Sequence, residues 1–576
     1  MKKQIIAAMG LVVASICAGA EKVPLWPEGK IPDFRENQYA APSQDAGKPG
    51  FDKSAHRMPY LEWCEEPAAD KKNGACIIFI SGGSYNSCCD RPMMSRLEEV
   101  FRNQGITCVW LWYRVPRPAG LPIYKTGWQD GQRAVRIVRS EAAKRGIDPE
   151  RIGVIGCSAG SHLSVMLGTS SQTPAYEAID ELDKVSCHVN WAIPMCPAYV
   201  LDDGLVGANT RDGDAIDVKL NPSFAFDSKT APMCFFHGGK DIYSPNGSTQ
   251  LYRQLRRMKV PAELHLYANR GHGPVSAAMI ERAVEFMRQM GFLGKLEPEQ
   301  DRRTFTGNYT KERIVEKVWL KGRIPNFCDN QKDEPTIEWF IPKELKTKAI
   351  QVVTPGGAYM HCNVSGEGLP VAEYFNSKGM TTVVLKYRTP RPKGLAKHTT
   401  AWQDAQRAIR LVRKGAKDRG LDPERIGVMG FSAGGHLTLM VATSSLHGSY
   451  AKIDDIDNLS CSVKWAFPIY PAYALTDGSD RPNVKGGNED DSVTVPEFSF
   501  DLATPPMCFV HGDADGWAAM NSVKVWEKLR RMGIQSDLHT LAKRGHCFQF
   551  KASEGTGSLT WLDRLWDFLS RKGFNK

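Results

Sequence analysis

The feature that most constrains the fold of this chain is an internal repeat about as long as a domain. Residues 156–162 read GCSAGSH and residues 430–436 read GFSAGGH, which places Ser158 and Ser432 274 residues apart. The same offset relates YRVPRP to YRTPRP, WQDGQRA to WQDAQRA and GIDPERIGVIG to GLDPERIGVMG. Repeats of this length indicate a tandem duplication of a domain, because solenoid repeats are far shorter.

The repeat also sets the expected domain boundaries. The offset of 274 residues is constant from the glycine turns near residues 82 and 356 to His272 and His546. KIPDF and RIPNF, which lie before these turns, are more than 274 residues apart. The first copy therefore carries an extra segment around residues 36–57. The expected organisation is a leader at 1–20, a first domain at 21–298, a linker at 299–316 and a second domain at 317–576.

Within each copy, short apolar runs alternate with amphipathic helix patterns. In the first copy the runs are ACIIFI, TCVWLWY, RIGVIG, WAIPM, MCFF and ELHLY. Buried strands that alternate with helices predict the α/β class, with a mostly parallel sheet covered by helices on both faces. In such sheets, functional sites form beyond the carboxyl ends of the strands.

The two serines lie in the setting of a nucleophile elbow. A Gly-x-Ser-x-Gly motif alone is weak evidence, but here each motif ends a strand-like run and opens an apolar helix, HLSVML or HLTLMV. The sharp turn between such elements lifts the serine hydroxyl above the sheet, and its glycines allow close backbone approach. Ser158 and Ser432 are therefore the predicted nucleophiles, rather than incidental serines in a tight turn.

A serine nucleophile needs a base and an orienting carboxylate, which follow it here in the order acid, then histidine. Asp241 in HGGKD aligns with Asp515 in HGDAD, and each follows an apolar strand. Asp513 aligns with Gly239, so it has no acidic counterpart. Asp241 and Asp515 are the predicted acids.

Histidines recur at the repeat offset as four pairs: His162/His436, His237/His511, His265/His539 and His272/His546. Chain order excludes the first two pairs as bases, and the third lies inside the last strand. His272 and His546 follow that strand in NRGHG and KRGHC, in a loop at its carboxyl end. They are the predicted general bases.

The negative oxygen of a tetrahedral intermediate needs preorganised N–H donors. One donor is expected from the residue after each serine, and another from the glycine turns ISGGSY and TPGGAY. Neither turn continues to Lys-Ser/Thr, so no phosphate loop is indicated. The expected oxyanion positions are Gly83, Ser84 and Ala159 in the first copy, and Gly357, Ala358 and Ala433 in the second.

Each copy resembles the α/β-hydrolase esterases of bacterial polysaccharide degradation, the acetylxylan-esterase and feruloyl-esterase-like group. The resemblance rests on PGGAY, KYR, WQDAQRAIRLVR, DPERIGVMGFSAGGHL, YPAY, HGDADGW and RGHCF, and it covers nearly all of both copies. The first copy departs from it at Ser81, Cys157, Ser161 and Cys196. The resemblance implies two tandem α/β-hydrolase domains and ester hydrolysis, with activity in the two sites that need not be equal.

Composition narrows the class of protein. A hydrophobic content of 42% with 24% charged residues is typical of a globular protein. The apolar run in residues 1–20 predicts a signal peptide cleaved after Ala20, hence a secreted or periplasmic protein without an integral membrane segment. Cys17 suggests a lipoprotein signal as the alternative, although Ile16 is bulky for one. The net charge of +10 is spread along the chain, which argues against a nucleic-acid partner.

Several side chains have structural rather than catalytic expectations. Cysteines inside strand-like runs are predicted to be buried and free, and no Cys or His cluster has zinc-like spacing, so neither a metal nor another cofactor is expected. These cysteines are Cys76, Cys108, Cys234 and Cys508. Asp130/Arg133 and Asp404/Arg407, each one helical turn apart, predict structural ion pairs.

The leading hypothesis is an exported serine esterase that removes acetyl or feruloyl groups from polysaccharide such as xylan. Polar segments at 197–232 and 471–506 predict a preference for short acyl groups, since a long chain needs an apolar cover. Alternatives are a small-molecule carboxylesterase or formamidase, a serine peptidase, and a glycan-binding protein on an inactive hydrolase fold. The peptidase is disfavoured because little chain precedes each glycine turn, and the binding protein because both triads are complete.

Overall fold

The computed structural model describes residues 21–35, 58–88, 91–202, 218–273, 276–293, 305–331, 333–476, 492–548 and 560–576. The expected leader at 1–20 and the extra segment at 36–57 lie outside the described residues. The chain divides into two compact units, residues 1–195 with 222–231, and residues 196–221 with 232–576. Within the described ranges, no helix has both the length and the apolar character to span a bilayer.

The first unit contains a six-stranded sheet with the order β1-β2-β4-β3-β5-β6. β2 pairs antiparallel with β1 and β4, and the remaining pairs are parallel. The strands are β1 (Lys22–Pro24), β2 (Tyr60–Trp63), β3 (Cys76–Ile80), β4 (Thr107–Trp112), β5 (Ile152–Cys157) and β6 (Trp191–Met195). The helices are α1 (Arg91–Asn103), α2 (Lys125–Ser140) and α3 (Ala159–Thr169).

The second unit contains a ten-stranded sheet with the order β7-β8-β18-β17-β14-β13-β11-β12-β10-β9. Its strands are β7 (Met233–Gly238), β8 (Ala262–Tyr267), β9 (Thr310–Lys317), β10 (Thr336–Pro342), β11 (Ile350–Thr354), β12 (Thr381–Lys386), β13 (Ile426–Phe431), β14 (Trp465–Ile469), β17 (Cys508–Gly512) and β18 (Asp537–Leu541), with a separate hairpin of β15 (Leu475–Thr476) and β16 (Val493–Thr494). The helices are α4 (Asn246–Arg257), α5 (Ala277–Gln289), α6 (Leu369–Ser377), α7 (Thr399–Ala416), α8 (Ala433–Thr443), α9 (Met520–Arg531) and α10 (Thr560–Lys572).

The central parallel strands are buried along their whole length. β3, β5, β11 and β13 have no exposed residue, which explains why they appear in the sequence as continuous apolar runs rather than alternating ones. The six runs predicted as strands in the first copy correspond to β3 through β8. Cys76, Cys108, Cys234 and Cys508 are buried and free, as predicted.

The compact units differ from the expected domains of 21–298 and 317–576. The last two strands of the first copy, β7 and β8, belong to the second unit because β8 pairs antiparallel with β18. In this pairing His265 lies opposite His539, its equivalent in the repeat. Part of the expected linker at 299–316 is strand β9, which pairs antiparallel with β10.

The pairing of β8 with β18 creates a seam that relates the two sets of elements by a local pseudo-two-fold rotation. Arg256 on α4 donates to the backbone carbonyl of Asp513, and Arg530 on α9 donates to that of Gly239 at 3.0 Å. These two contacts are the same contact displaced by the repeat offset. The seam therefore joins equivalent surfaces of the two copies within one unit.

The predicted ion pairs within α2 and α7 are wrong. Asp130 binds Arg114, with Nη2 2.9 Å from Oδ1, whereas Arg133 binds Asp180 at 2.6 Å. In the second copy Asp404 binds Arg388, and Arg407 binds Asp454 and Asp457. The helical spacing predicted pairs within each helix, but each buried charged side chain instead pairs with a group on a neighbouring segment, where bidentate hydrogen bonds can form.

Candidate active sites

The second-copy serine occupies a strained turn between β13 and α8. Ser432 has φ 52° and ψ −117°, a conformation that non-glycine residues rarely adopt and that the surrounding packing must enforce. The packing around it is tight, since a Cβ added to Gly434 would lie 2.0 Å from the Thr354 carbonyl oxygen. Ser158 in the first copy has the same geometry, with φ 56° and ψ −119°. Both predicted nucleophiles thus lie on elbows.

The structure brings Ser432, His546 and Asp515 together. Nε2 of His546 lies 2.8 Å from Oγ of Ser432, and Nδ1 of His546 lies 2.7 Å from Oδ2 of Asp515. When Nδ1–H donates to the carboxylate, Nε2 is left as the acceptor for the serine proton. This arrangement can generate an alkoxide at neutral pH and return the proton to a leaving group.

The carboxylate of Asp515 is held in its charged form. Burial alone raises the pKa of Asp515, but hydrogen bonds from His511 and His546 outweigh burial and hold the pKa well below its usual value. The backbone N–H of Trp517 donates to Oδ1 at 2.8 Å. His511, which chain order excluded as a base, lies behind the acid with its Nε2 3.2 Å from Oδ2.

The first copy repeats the acid and base. Nδ1 of His272 lies 2.9 Å from each carboxylate oxygen of Asp241, and the Tyr243 N–H donates to Oδ1 at 2.8 Å. His237 stands 3.2 Å from Oδ2, as His511 does in the second copy. Ser158 lies in the first compact unit and this acid–base pair in the second. The complete first triad stays a prediction based on the repeat.

The expected oxyanion donors lie beside the serines. Gly357 has φ 129°, and a Cβ there would be 2.1 Å from the His361 carbonyl oxygen, so only glycine fits. A Cβ on Gly356 would be 3.2 Å from Cβ of Ser432, which shows how closely the turn passes the nucleophile. Ala433 is the first residue of α8, so its N–H has no acceptor within the helix.

The same donor positions recur in the first copy. Gly83 has φ 120°, Ser84 has φ 57°, and Ala159 is the first residue of α3. A Cβ on Gly82 would be 3.0 Å from Cβ of Ser158. In the second copy Ala358 has φ 55°, matching Ser84. The turns are thus alike in backbone, and their role as oxyanion donors stays a prediction.

Sequence reasoning missed a buried carboxylate behind the second glycine turn. The Gly356 N–H donates to Oε2 of Glu367 at 2.6 Å, and the Tyr470 hydroxyl donates to Oε1 at 3.1 Å. Burial raises the pKa of Glu367, which is 2% exposed. The Tyr470 ring also contacts the His546 ring at 5.0 Å between centroids. The first copy has Met93 in place of Glu367 and Cys196 in place of Tyr470. This difference between the copies is the sequence signal that could have revealed the buried carboxylate.

Aromatic side chains line the second site next to the triad. The Tyr473 and Trp517 rings contact at 4.8 Å, and the Trp517 ring lies 6.4 Å from the His546 ring. Arg391 joins this wall to the glycine turn, since it donates to the Tyr473 hydroxyl at 3.2 Å and to the Ala358 carbonyl at 3.1 Å. The two rings meet edge to face, with an interplanar angle of 63°. An aromatic pair of this kind beside a cationic hydrogen-bond donor suits a ligand that has both apolar and hydroxyl-bearing faces.

Comparison with known proteins gives matches in both copies. The model of the BD-FAE family matches residues 65–255 and 337–492. Among curated proteins, the chain is similar to an acetylxylan esterase of Xylanibacter ruminicola, 25% identical over 224 residues, which are 37% of this chain and 43% of that protein. It is also similar to endo-1,4-beta-xylanase B of Butyrivibrio fibrisolvens, 27% identical over 206 residues, which are 34% of this chain and 32% of that protein.

Two further matches extend the comparison. Esterase LipQ of Mycobacterium tuberculosis is 30% identical over 213 residues, which are 34% of this chain and 48% of that protein. Among solved structures, an acetyl ester-xyloside bifunctional hydrolase from Caldicellulosiruptor lactoaceticus is 28% identical, with a TM-score of 0.38, over 46% of this chain and 97% of that one. The chain spans less than half the length of each of the three curated relatives.

Proposed function

The chain belongs to the BD-FAE family, and from this premise we propose that it is a carboxylic ester hydrolase with a Ser-His-Asp triad in each copy. The observation that carries the proposal is the relay in the second copy, with its 2.8 Å and 2.7 Å contacts on a strained elbow beside a glycine turn. The proposed triads are Ser158, His272 and Asp241, and Ser432, His546 and Asp515.

The reaction in the second site follows from these contacts. His546 takes the Ser432 proton at Nε2 as Oγ attacks the ester carbonyl carbon, and the new C–O bond leaves a negative charge on the carbonyl oxygen. The N–H of Ala433 and those of the glycine turn stabilise this oxygen. The ester bond then breaks, and the alcohol leaves with the proton from His546. Water, deprotonated by His546, hydrolyses the acyl-enzyme and releases the carboxylic acid and the free serine.

For the substrate, we propose short acyl esters, acetyl or feruloyl, on a polysaccharide such as xylan. The half-buried Trp517 ring, which lies next to the His546 ring, supports a carbohydrate ligand, because sugar rings present apolar faces that pack on aromatic rings. The similarity to an acetylxylan esterase and to a xylanase supports xylan in particular. Such a polymer is met outside the cell, which agrees with the apolar leader in the sequence. The similarity to esterase LipQ makes a small-molecule carboxylesterase the second candidate.

A fluorophosphonate test separates an esterase from an inactive hydrolase fold. We expect a covalent adduct on Ser432 and another on Ser158, each located by peptide mass spectrometry. Acetate release from acetylated xylan, compared with hydrolysis of 4-nitrophenyl acetate, then separates the polysaccharide esterase from the small-molecule one. If no adduct forms on either serine, both esterase proposals fail.

A further inference from the structure

Three side chains with metal-binding atoms converge in the second unit, apart from the triad. His398 directly precedes α7, His436 lies in the first turn of α8, and Glu497 follows β16. One ligand atom from each lies within 4.8 Å of the other two. Oε1 of Glu497 is 3.5 Å from Nε2 of His436 and 3.6 Å from Nδ1 of His398. The three residues are far apart in the chain, so no short motif marks them.

The histidine nitrogens that face this cluster are buried and, among the described residues, make no hydrogen bond. They are Nε2 of His436 and Nδ1 of His398. The 3.5 Å separation from Glu497 is longer than an ordinary N–H···O hydrogen bond. Buried polar atoms normally make hydrogen bonds. Two nitrogens that make none, and that face one carboxylate oxygen at 3.5 Å and 3.6 Å, point to a ligand bound between them.

The second ring nitrogen of His436 is already engaged. Nδ1 of His436 lies 2.8 Å from the Tyr359 hydroxyl, and His436 itself is fully buried. A hydrogen bond of this kind on one nitrogen fixes the ring and directs the other nitrogen, as happens at metal-bound histidines.

We propose that His398, His436 and Glu497 bind a divalent transition cation of the zinc type, with a fourth position open to water. Zinc accepts imidazole nitrogen and carboxylate oxygen at about 2.0–2.1 Å in tetrahedral sites, which puts neighbouring ligand atoms roughly 3.3 Å apart. The separations of 3.5 Å and 3.6 Å from Oε1 of Glu497 are close to this value. Because His398 directly precedes α7, His436 lies on the elbow helix α8 and Glu497 follows β16, the ion would join these three segments of the second unit.

The first copy supplies a natural control. His162 is the equivalent of His436, and its Nδ1 lies 2.8 Å from the Tyr85 hydroxyl. The other two ligand positions hold Tyr124 and Ser223 instead of histidine and glutamate. The elbow helix is formed in this copy as well, so the fold accepts the two replacements. His398→Tyr with Glu497→Ser therefore removes the ligands by using residues already compatible with this environment.

The test is a metal titration of the full chain, purified without a histidine tag and treated with EDTA. We expect the protein to compete with a chromophoric chelator for one zinc ion, and to give the intense visible absorption of four-coordinate cobalt(II). His398→Tyr with Glu497→Ser should lower the zinc affinity by roughly 100-fold or more, since loss of an outer-shell partner alone typically costs roughly 10–100-fold. The matched His162→Gln variant should keep the wild-type affinity, and circular dichroism checks that each variant is folded.

Three outcomes would overturn the proposal. One is the absence of stoichiometric zinc binding, and another is equal zinc affinity in the wild type and the ligand variant. The third is loss of binding on Cys196→Ser instead, which would put the ion at the cluster of Cys196, Asp241 and His272 in the first triad. Each readout is independent of ester hydrolysis, so failure here leaves the proposed function untouched.

Discussion

The seam between β8 and β18 makes a sharp prediction about a buried ion pair. Arg253 on α4 and Glu527 on α9 are both buried, with Nη2 2.6 Å from Oε2. The two positions are equivalent in the repeat, so the pseudo-two-fold rotation exchanges them. Glu527→Ala leaves the guanidinium buried and unpaired, which costs about 3–5 kcal/mol of unfolding free energy. The exchanged double variant, Arg253→Glu with Glu527→Arg, recreates the pair in the rotated orientation.

Calorimetry provides the assay, with the transition of the second unit followed in each variant. For Glu527→Ala the Tm should fall by roughly 4–6 °C, because an unfolding entropy of about 2.1 cal/mol/K per residue gives about 1.3 °C per kcal/mol for a unit of this size. The exchanged variant should recover most of this loss. Glu334→Ala is the control, because it breaks an exposed pair with Lys317 and should change stability by less than about 1 kcal/mol. If the exchanged variant is no more stable than Glu527→Ala, the pseudo-two-fold reasoning is wrong.

Three predictions concern catalysis. Ser432→Ala should remove the larger share of acetate release from acetylated xylan, whereas Ser158→Ala should keep substantial activity. The double variant should fall to background. If Ser432→Ala alone shows only background activity on every ester, the first copy is inactive. Glu367→Met introduces the residue of the first copy and removes the acceptor of the Gly356 N–H. In Ser158→Ala protein, this substitution should lower kcat by roughly 10–100-fold, which is somewhat less than the effect of losing an oxyanion donor directly. Measured kcat within twofold of the parent would contradict this role. Two-carbon esters should give a higher kcat/KM than eight-carbon esters, and the reverse order would refute the short-acyl proposal.

The parts of the site that the sequence predicted are those that topology determines. Strand ends in a parallel sheet meet at one edge, so the chain order of serine, acid and histidine was enough to select Ser432, Asp515 and His546, which lie in contact. The resemblance to acetylxylan- and feruloyl-esterase-like hydrolases and the α/β-hydrolase fold are confirmed by the family match and the sheets. The repeat offset removed competing candidates such as Asp513, which binds Tyr252 and Arg256 at the seam.

The parts that were missed depend on long-range side-chain partners. Helical spacing placed Asp130 near Arg133, but the direction of each buried side chain is decided by partners 16 and 47 residues away. Glu367 lies in the short π-helical turn Val364–Gly368 and Glu497 in the loop after β16, and no periodic sequence pattern predicts the position of either segment. The pairing of β8 with β18 joins two edge strands, and nothing in an edge strand's pattern names its partner.

The pseudo-two-fold seam has an evolutionary consequence. In a homodimer built on such an axis, every residue on the axis-related surface meets a copy of itself, so a position such as 253 would face arginine with arginine or glutamate with glutamate. Fusing the two copies in one chain frees the halves to mutate separately, and here one carries Arg253 and the other Glu527. Opposite charges at symmetry-equivalent positions thus require two halves of different sequence, which the tandem duplication provides. The same freedom allows one half to carry Glu367, His398 and Glu497 where the other half carries Met93, Tyr124 and Ser223.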